Sequence, residues 1–349
     1  MRRRTWLGLA LVASSVGVAA LDPRPTYVAR AAAHQLALLA DRVPLDAYHP
    51  PTEQARKNLA RISDITRFAE RELHLRTNGQ YASVAPGRRE PLWNVSACPP
   101  LSLRPETFWF PVTGRVPYLG FFDRPSADRR ARAFERQGFD AWVRPAGTYS
   151  TLGWFADPLL PAMLDWPEER LVETLLHEWV HATVWVPGEV GFDESLASFV
   201  GERGATAWLR QRYGEGSAVV RQAEIEGADR DRYHAVLEQL AGELDALYTS
   251  PMDDESKLAA KRERFASLPA RIEAAGLTDP LDYRAGADPS RWNNARLSQF
   301  RTYHRGYDAF ERLTPASGGI GGLVDEVRGW PAGDPWATLE QRARSVAEF

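Results

Sequence analysis

Apolar positions recur at helical spacing in two parts of the chain and in short β-like runs between them. From Thr52 to Leu73 the positions Ala55, Leu59, Ile62, Thr66, Ala69 and Leu73 alternate by four and three, which predicts a helix capped by Thr52 and followed by a turn at Asn78-Gly79. Tyr27 to Asp41 reads as an earlier helix. Between Tyr81 and Phe155 the pattern shortens to aromatic and β-branched runs, Leu92–Val95, Thr107–Val112, Val116–Phe122, Ala141–Val143 and Tyr149–Phe155, separated by prolines and glycines. One helix, Ser126–Gln137, interrupts them and stops at Gly138. After Pro167 the spacing is helical again, over Glu168–Val186, Glu194–Arg212, Ala223–Tyr248, Asp253–Ala275 and Arg291–Leu313. Strands first and helices afterwards predict an α+β fold, a small and mostly antiparallel sheet followed by a mainly helical region.

The N-terminus departs from this pattern. Met1-Arg2-Arg3-Arg4 precedes an uncharged run from Thr5 to Leu21, which reads as an export signal cleaved after Ala20 or kept as an anchor. Residues 21–349 then form one expected domain, its α/β part ending at about residue 165 and its helical part starting at about 166. The expected location is outside the cytoplasm, in a periplasm or at a membrane held through the N-terminus. The 43 basic and 46 acidic residues give a net charge of −3, and loss of the three leader arginines makes it −6. That balance argues against nucleic acid as a partner. Cys98 is the only cysteine, so the chain has no disulfide, and its apolar setting reads as a buried small side chain. The oligomeric state is not encoded in any pattern visible here.

Chemistry concentrates at His177-Glu178-Trp179-Val180-His181. Residues four apart lie one above the other on a helix, so both imidazoles can reach one ion at about 2.0–2.1 Å. A chain with seven histidines would contain this pattern by chance on the order of one per cent of the time. Glu178 projects beside that face, placed to take a proton from a water that the metal acidifies and to return it to a leaving amine. A catalytic zinc needs a third protein ligand and an open position. Asp193 is a plausible N-cap for a second helix, and Glu194 in its first turn is the expected third ligand, with Glu189 and Glu202 as competitors. One Zn²⁺ per chain is therefore expected, although the donor set also suits manganese or cobalt. His34, His49, His74 and His234 are isolated and read as surface or core side chains.

The stretch Leu176–His181 through Phe192–Val200 to Gly204 resembles a family of exported bacterial predicted aminopeptidases of the gluzincin type. Tyr149–Pro158, Trp93-Asn94-Val95, and Asn293-Asn294-Ala295 with Tyr303 and Phe310 carry the same resemblance, which spans most of residues 26–313. It implies a zincin-like catalytic region, a peptide substrate, and Asp193-Glu-Ser-Leu-Ala197 as the segment supplying the glutamate ligand. It further implies that Tyr149–Phe155 lies along the cleft, with Thr151, Leu152 and Gly153 against the substrate backbone, and that Tyr303 donates to the oxyanion. The chain departs from such families in lacking a lipidation cysteine after the leader, in having Asp193 for the usual asparagine, and in placing Ser198 where thermolysin-like enzymes have an aspartate.

The resulting expectation is a zinc-dependent peptidase, an aminopeptidase with Glu178 as general base. No Gly-x-Met-Glu-Asn type motif marks a subsite for a substrate ammonium, so an endopeptidase of the same mechanism is the first alternative. A non-catalytic exported binding or scaffold protein is the second. The intact Glu178 argues against it, because a dead site could lose its base without losing a ligand.

Overall fold

The computed structural model describes residues 40–87, 92–110, 114–121, 123–146, 157–279, 283 and 286–347. The leader and most of the helix expected over Tyr27–Asp41 lie outside the described residues, as does the strand expected over Tyr149–Phe155. In chain order the elements are β1 (Val43–Pro44), α1 (Glu53–Arg71), β2 (Ser83–Val84), β3 (Leu92–Cys98), β4 (Phe108–Phe110), β5 (Gly114–Val116) and β6 (Leu119–Phe121). They continue with α2 (Arg124–Glu135), β7 (Asp140–Ala146), α3 (Pro161–Leu164), α4 (Glu168–Thr183), α5 (Val190–Tyr213), α6 (Ala218–Thr249), α7 (Asp254–Ala266) and α8 (Leu268–Ala274). The last four are α9 (Asn294–His304), α10 (Tyr307–Ala316), α11 (Ile320–Arg328) and α12 (Pro335–Ala347). The fold is α+β, mostly helical with small antiparallel sheets, as the run of strands before helices predicted. Among the described residues no helix is long and apolar enough to cross a membrane.

The three-stranded sheet has the order β6-β3-β7, all antiparallel. In the β3–β7 register Val95 faces Val143 and Asn94 faces Arg144 across the ladder. Side chains alternate along a strand. Val95, Ala97, Ala141 and Val143 therefore turn to one side, where they pack with Ala127, Ala131 and Phe134 of α2. Asn94, Trp142 and Arg144 fall on the opposite side, toward α9. Helix α9 is pinned to this sheet by polar contacts. Asn293 caps it, accepting from the Arg296 N–H, while its amide donates to the Ala141 carbonyl at 2.8 Å. The fully buried Asn294 donates to the carbonyls of Pro99, Pro100 and Ser102, each at 3.1 Å, and accepts from the Tyr248 hydroxyl at 2.6 Å. Asp140 of β7 accepts from the Asn294 N–H at 2.8 Å and from the Lys261 ammonium at 2.6 Å.

Two helices run together through the main apolar cluster. On α4, Leu171, Leu175, Trp179 and Val180 are buried, the face that the spacing predicted. From Phe192 to Glu202 helix α5 is buried on every side, carrying Asp193, Glu194, Ser198 and Glu202 inside with its apolar residues. Glycine makes the close approach possible. A Cβ on Gly201 would meet the Glu173 carbonyl oxygen at 2.8 Å and the His177 Cβ at 3.4 Å, and one on Gly204 would meet Leu176 at 2.7 Å.

Element ends depart from the sequence reading for local reasons. Helix α5 begins at Val190, because the Glu189 carbonyl already accepts from Phe192 and Asp193 just after Gly188 at φ 90°. Asp193 is therefore inside the helix and not its N-cap, and Glu194 sits in the second turn. Asp193 instead accepts from the Val186 N–H at 2.9 Å. The helix expected over Asp253–Ala275 breaks at Ser267 before Pro269, and that over Arg291–Leu313 breaks at Gly306, which takes φ 78°. Helices α11 and α12 were not anticipated. Cys98 is fully buried, as expected, and burial pushes its thiol up to about 12.

Substituting Gly201→Ala tests the helix contact. Alanine would gain about 1 kcal/mol in helix propensity, but the backbone oxygen of Glu173 cannot yield, and overpacking of this kind costs about 1–3 kcal/mol. The expected outcome is a lower melting temperature, read by circular dichroism, whereas Gly242→Ala, where an added Cβ meets nothing within 4 Å, should be neutral or stabilising.

Candidate metal centre

Four residues apart on α4, His177 and His181 bring their Nε2 atoms to 3.1 Å from each other. From α5, Glu194 Oε2 lies 3.3 Å from His177 Nε2 and 3.6 Å from His181 Nε2. Tetrahedral ligands at about 2.0–2.1 Å from one ion are separated by about 3.3 Å, so the three atoms already form one face of such a site. Among the described residues this is the one group of three or more histidine, cysteine or carboxylate side chains with metal-binding geometry. It sits below the surface, His181 and Glu194 being buried and His177 partly so.

The electrostatics suit a cation. Burial would raise the Glu194 pKa, but the hydrogen bonds and charges of His177 and His181 hold it well below the usual carboxylate range. Burial opposes a charge on His177, yet Glu194, with Glu178 and Glu173 behind it, pushes its proton affinity up. Two neutral imidazoles and an ionised carboxylate are the forms in which these side chains ligate a metal. His177 Nδ1 lies 3.5 Å from Ser198 Oγ, at the limit of a hydrogen bond. Nδ1 of His181 has no hydrogen-bond partner among the described residues.

The competing carboxylates are elsewhere. Glu189 precedes α5 and is not part of the group. Glu202, eight residues after Glu194, is turned by about 80° around the helix and faces another layer. There it accepts from the Tyr307 hydroxyl at 3.1 Å and pairs with Arg230 at 3.2 Å and His304 at 3.7 Å.

Glu178, one residue along from His177, is buried at the same site. Tyr303 of α9 stacks on the His177 ring, with centroids 6.2 Å apart and planes 25° from parallel. Two further residues complete this wall and were not found by sequence reasoning. Arg144 of β7 donates from Nη2 to the Tyr303 hydroxyl at 2.6 Å, and its guanidinium carbon lies 5.0 Å from the centre of that ring. Tyr118, in the turn between β5 and β6, interacts electrostatically with Glu194, Tyr303, Arg144 and Glu178. Burial, reinforced by the Glu194 and Glu178 charges, holds the phenols of Tyr118 and Tyr303 well above their usual value, so both keep their protons. The signal for Arg144 was present as an arginine in the apolar strand Ala141-Trp-Val-Arg144. Tyr118 carried none beyond its type. Thr151, Leu152 and Gly153 lie outside the described residues.

The family model described as "Putative aminopeptidase" matches residues 26–332. The chain belongs to this family. No curated protein and no solved structure matches it. Membership in the aminopeptidase family points to peptidase activity, and the His177–His181–Glu194 group is a place where a metal ion can be held.

Glu202 gives a test that separates its layer from the metal group. Burial would raise its pKa, but His304 and Arg230 hold it down at about 2, against an ordinary 4.5. A carboxylate held low in the folded state stabilises above its unfolded pKa, and that contribution fades as pH falls toward the folded value. Glu202→Gln should therefore cost about 2–4 kcal/mol at pH 7. The gap to wild type in chemical denaturation should narrow steadily from about pH 4.5 downward, and metal content at pH 7 should match wild type.

Proposed function

We propose that this chain is a zinc-dependent peptidase, an aminopeptidase acting outside the cytoplasm on peptides. The observation that carries the reading is the set of His177, His181 and Glu194 nitrogen and oxygen atoms 3.1 to 3.6 Å apart, with Glu178 on the same turn of α4. His177 Nε2, His181 Nε2 and Glu194 Oε2 would hold the ion, leaving its fourth position to water or substrate. When bound, zinc supplies Lewis acidity, lowering the pKa of a water toward ~7 and polarising a carbonyl oxygen. Glu178 accepts the proton from the attacking water and passes it to the leaving amine, which a buried carboxylate beside two imidazoles is placed to do. Tyr303 keeps its phenolic proton and donates to the carbonyl oxygen as negative charge develops there. The basic and apolar leader, Met1 to Ala20, supports export, and the strand expected over Tyr149–Phe155 would lay Thr151, Leu152 and Gly153 against the substrate backbone.

Elemental analysis of the purified mature chain should give about one zinc per molecule. That zinc should be lost in Glu194→Ala and retained in Glu178→Gln. The Glu178→Gln variant should lose peptidase turnover by at least about a hundredfold. A chain without zinc, purified without chelator, or a Glu178→Gln variant that keeps full activity would sink the mechanism. Alanyl- and leucyl-p-nitroanilide, beside an N-acetylated internally quenched peptide, separate exopeptidase from endopeptidase action. Cleavage of the acetylated peptide alone would replace the aminopeptidase reading with the endopeptidase one.

A further inference from the structure

Arg144 and Tyr303 bring a cation and a phenol against a centre otherwise made of two imidazoles and two carboxylates. The direction of the hydrogen bond between them is fixed by chemistry. A guanidinium has five N–H donors and no acceptor, while a phenol has one O–H and two lone pairs. In the 2.6 Å contact Arg144 must donate and Tyr303 must accept. The Tyr303 proton is then left to point elsewhere, and the ring stacked on His177 fixes where that is. The guanidinium also lies 5.0 Å from the ring centre, so it touches the phenol at both its oxygen and its π face. Among the described residues Arg144 Nε has no hydrogen-bond partner, and it is shielded from water. Among the described residues the structure records no carboxylate salt-bridged to Arg144. An arginine placed there for structure alone would ordinarily be neutralised by an acid.

The placement of this arginine is also over-determined. Arg144 faces α9 because side chains alternate along β7, in register with Asn94. Helix α9 is held to that strand by Asn293 on the Ala141 carbonyl and by the Asn294 N–H on Asp140. Three to four residues separate these anchors from Arg144 on the strand, and about three turns separate them from Tyr303 on the helix. The meeting of the two side chains follows from the docking of two rigid elements and not from a mobile loop.

We propose that Arg144 is the positioning residue for Tyr303, holding the phenol by its acceptor side so that its O–H is presented to the oxyanion of the hydrolysed carbonyl. The proposal rests on the peptidase reading above. It adds that the anion-stabilising wall comes from the sheet and α9, while the proton-handling group comes from α4. It also orients the substrate, whose scissile carbonyl oxygen must face Tyr303 and Arg144.

A double-mutant cycle on the zinc-loaded full chain tests it. Arg144→Ala, Tyr303→Phe and the double variant are compared with wild type by turnover of the fastest-cleaved substrate among those named above. The same four proteins are compared by calorimetry for binding of a phosphinic dipeptide, a tetrahedral anion that needs no turnover. Zinc content and thermal melting are recorded for each. The expected result is a kcat about 10- to 100-fold lower in Arg144→Ala with KM within about threefold, and a comparable weakening of phosphinate binding. In the Tyr303→Phe background the same substitution should change either quantity by less than about threefold. Arg144→Lys, which keeps a cationic donor without the planar fork, should recover part of the loss, and it serves in the cycle if Arg144→Ala melts early. Equal losses in both backgrounds, or no loss in either, overturn the role of Arg144 while leaving the peptidase reading intact. A wild-type chain that holds zinc but neither cleaves a substrate nor binds the phosphinate overturns both.

Discussion

The contact of α4 with α5 at Gly201 is the constraint on which the rest depends. Two histidines four apart on one helix need only that helix to meet, but the third donor comes from a second helix and depends on how closely the two approach. Gly201 follows Glu194 by seven residues, which returns it to the same face of α5. Where glycine has only hydrogen, the Glu173 carbonyl and His177 Cβ press against it. One of the two residues that make the contact on α4, His177, is thus the one whose imidazole reaches Glu194 two turns away. Packing distance and donor geometry share that side chain, so neither can drift without the other.

A helical stretch buried on every side must satisfy its polar residues internally, and α5 does so in separate layers. Asp193 takes the Val186 N–H, Glu194 takes the imidazoles, and Glu202 takes Arg230 and the Tyr307 hydroxyl. Glu194 and Glu202 are buried against imidazoles or a guanidinium, the condition under which an interior charge is tolerated, whereas burial pushes the less fully partnered Asp193 up to about 7. This division explains why helical spacing alone could not choose between Glu194 and Glu202. Eight residues is more than two turns, and the extra 80° or so of rotation sends Glu202 into a different neighbourhood.

The fold class and the meeting of the histidine pair were legible because each rests on periodicity, whereas Glu194 was singled out from Glu189 and Glu202 by its place early in the next helix and by the family resemblance. Spacing of four places His177 and His181 together whatever surrounds them, and strands preceding helices imply separate sheet and helix layers. The boundaries depart from the periodic pattern at local backbone signals, Gly188 shortly before α5, Pro269 in the first turn of α8, and Gly306 between α9 and α10. Asp193 looked like a cap because its residue type favours caps, but the chain reverses one turn earlier. Tyr118, and the place of Arg144 in the site, were illegible for another reason. The two side chains reach the site through the pairing of β7 with β3 and through a turn, and nothing in a linear pattern records which strand face will meet which helix.

The donors belong to the apolar cluster around α1, α4 and α5, Arg144 rises from the sheet that packs on α2, and α9 contributes Leu297 to a third cluster with α6, α7 and α8. Apolar burial is non-directional, so three such clusters would fix the contents of their interiors but leave their mutual register soft. Register is supplied where they meet, by hydrogen bonds with defined geometry. Asn294 fastens α9 to the loop after β3, Asp140 joins β7 to both α9 and Lys261 of α7, and Ser195 Oγ donates to the Thr302 carbonyl at 3.2 Å beside Tyr303. The Asn293-Asn294 pair thus belongs to the site although neither side chain touches it. Its contribution is to convert the positions of two hydrophobic clusters into the meeting of a guanidinium with a phenol, which an apolar contact in the same place could not specify.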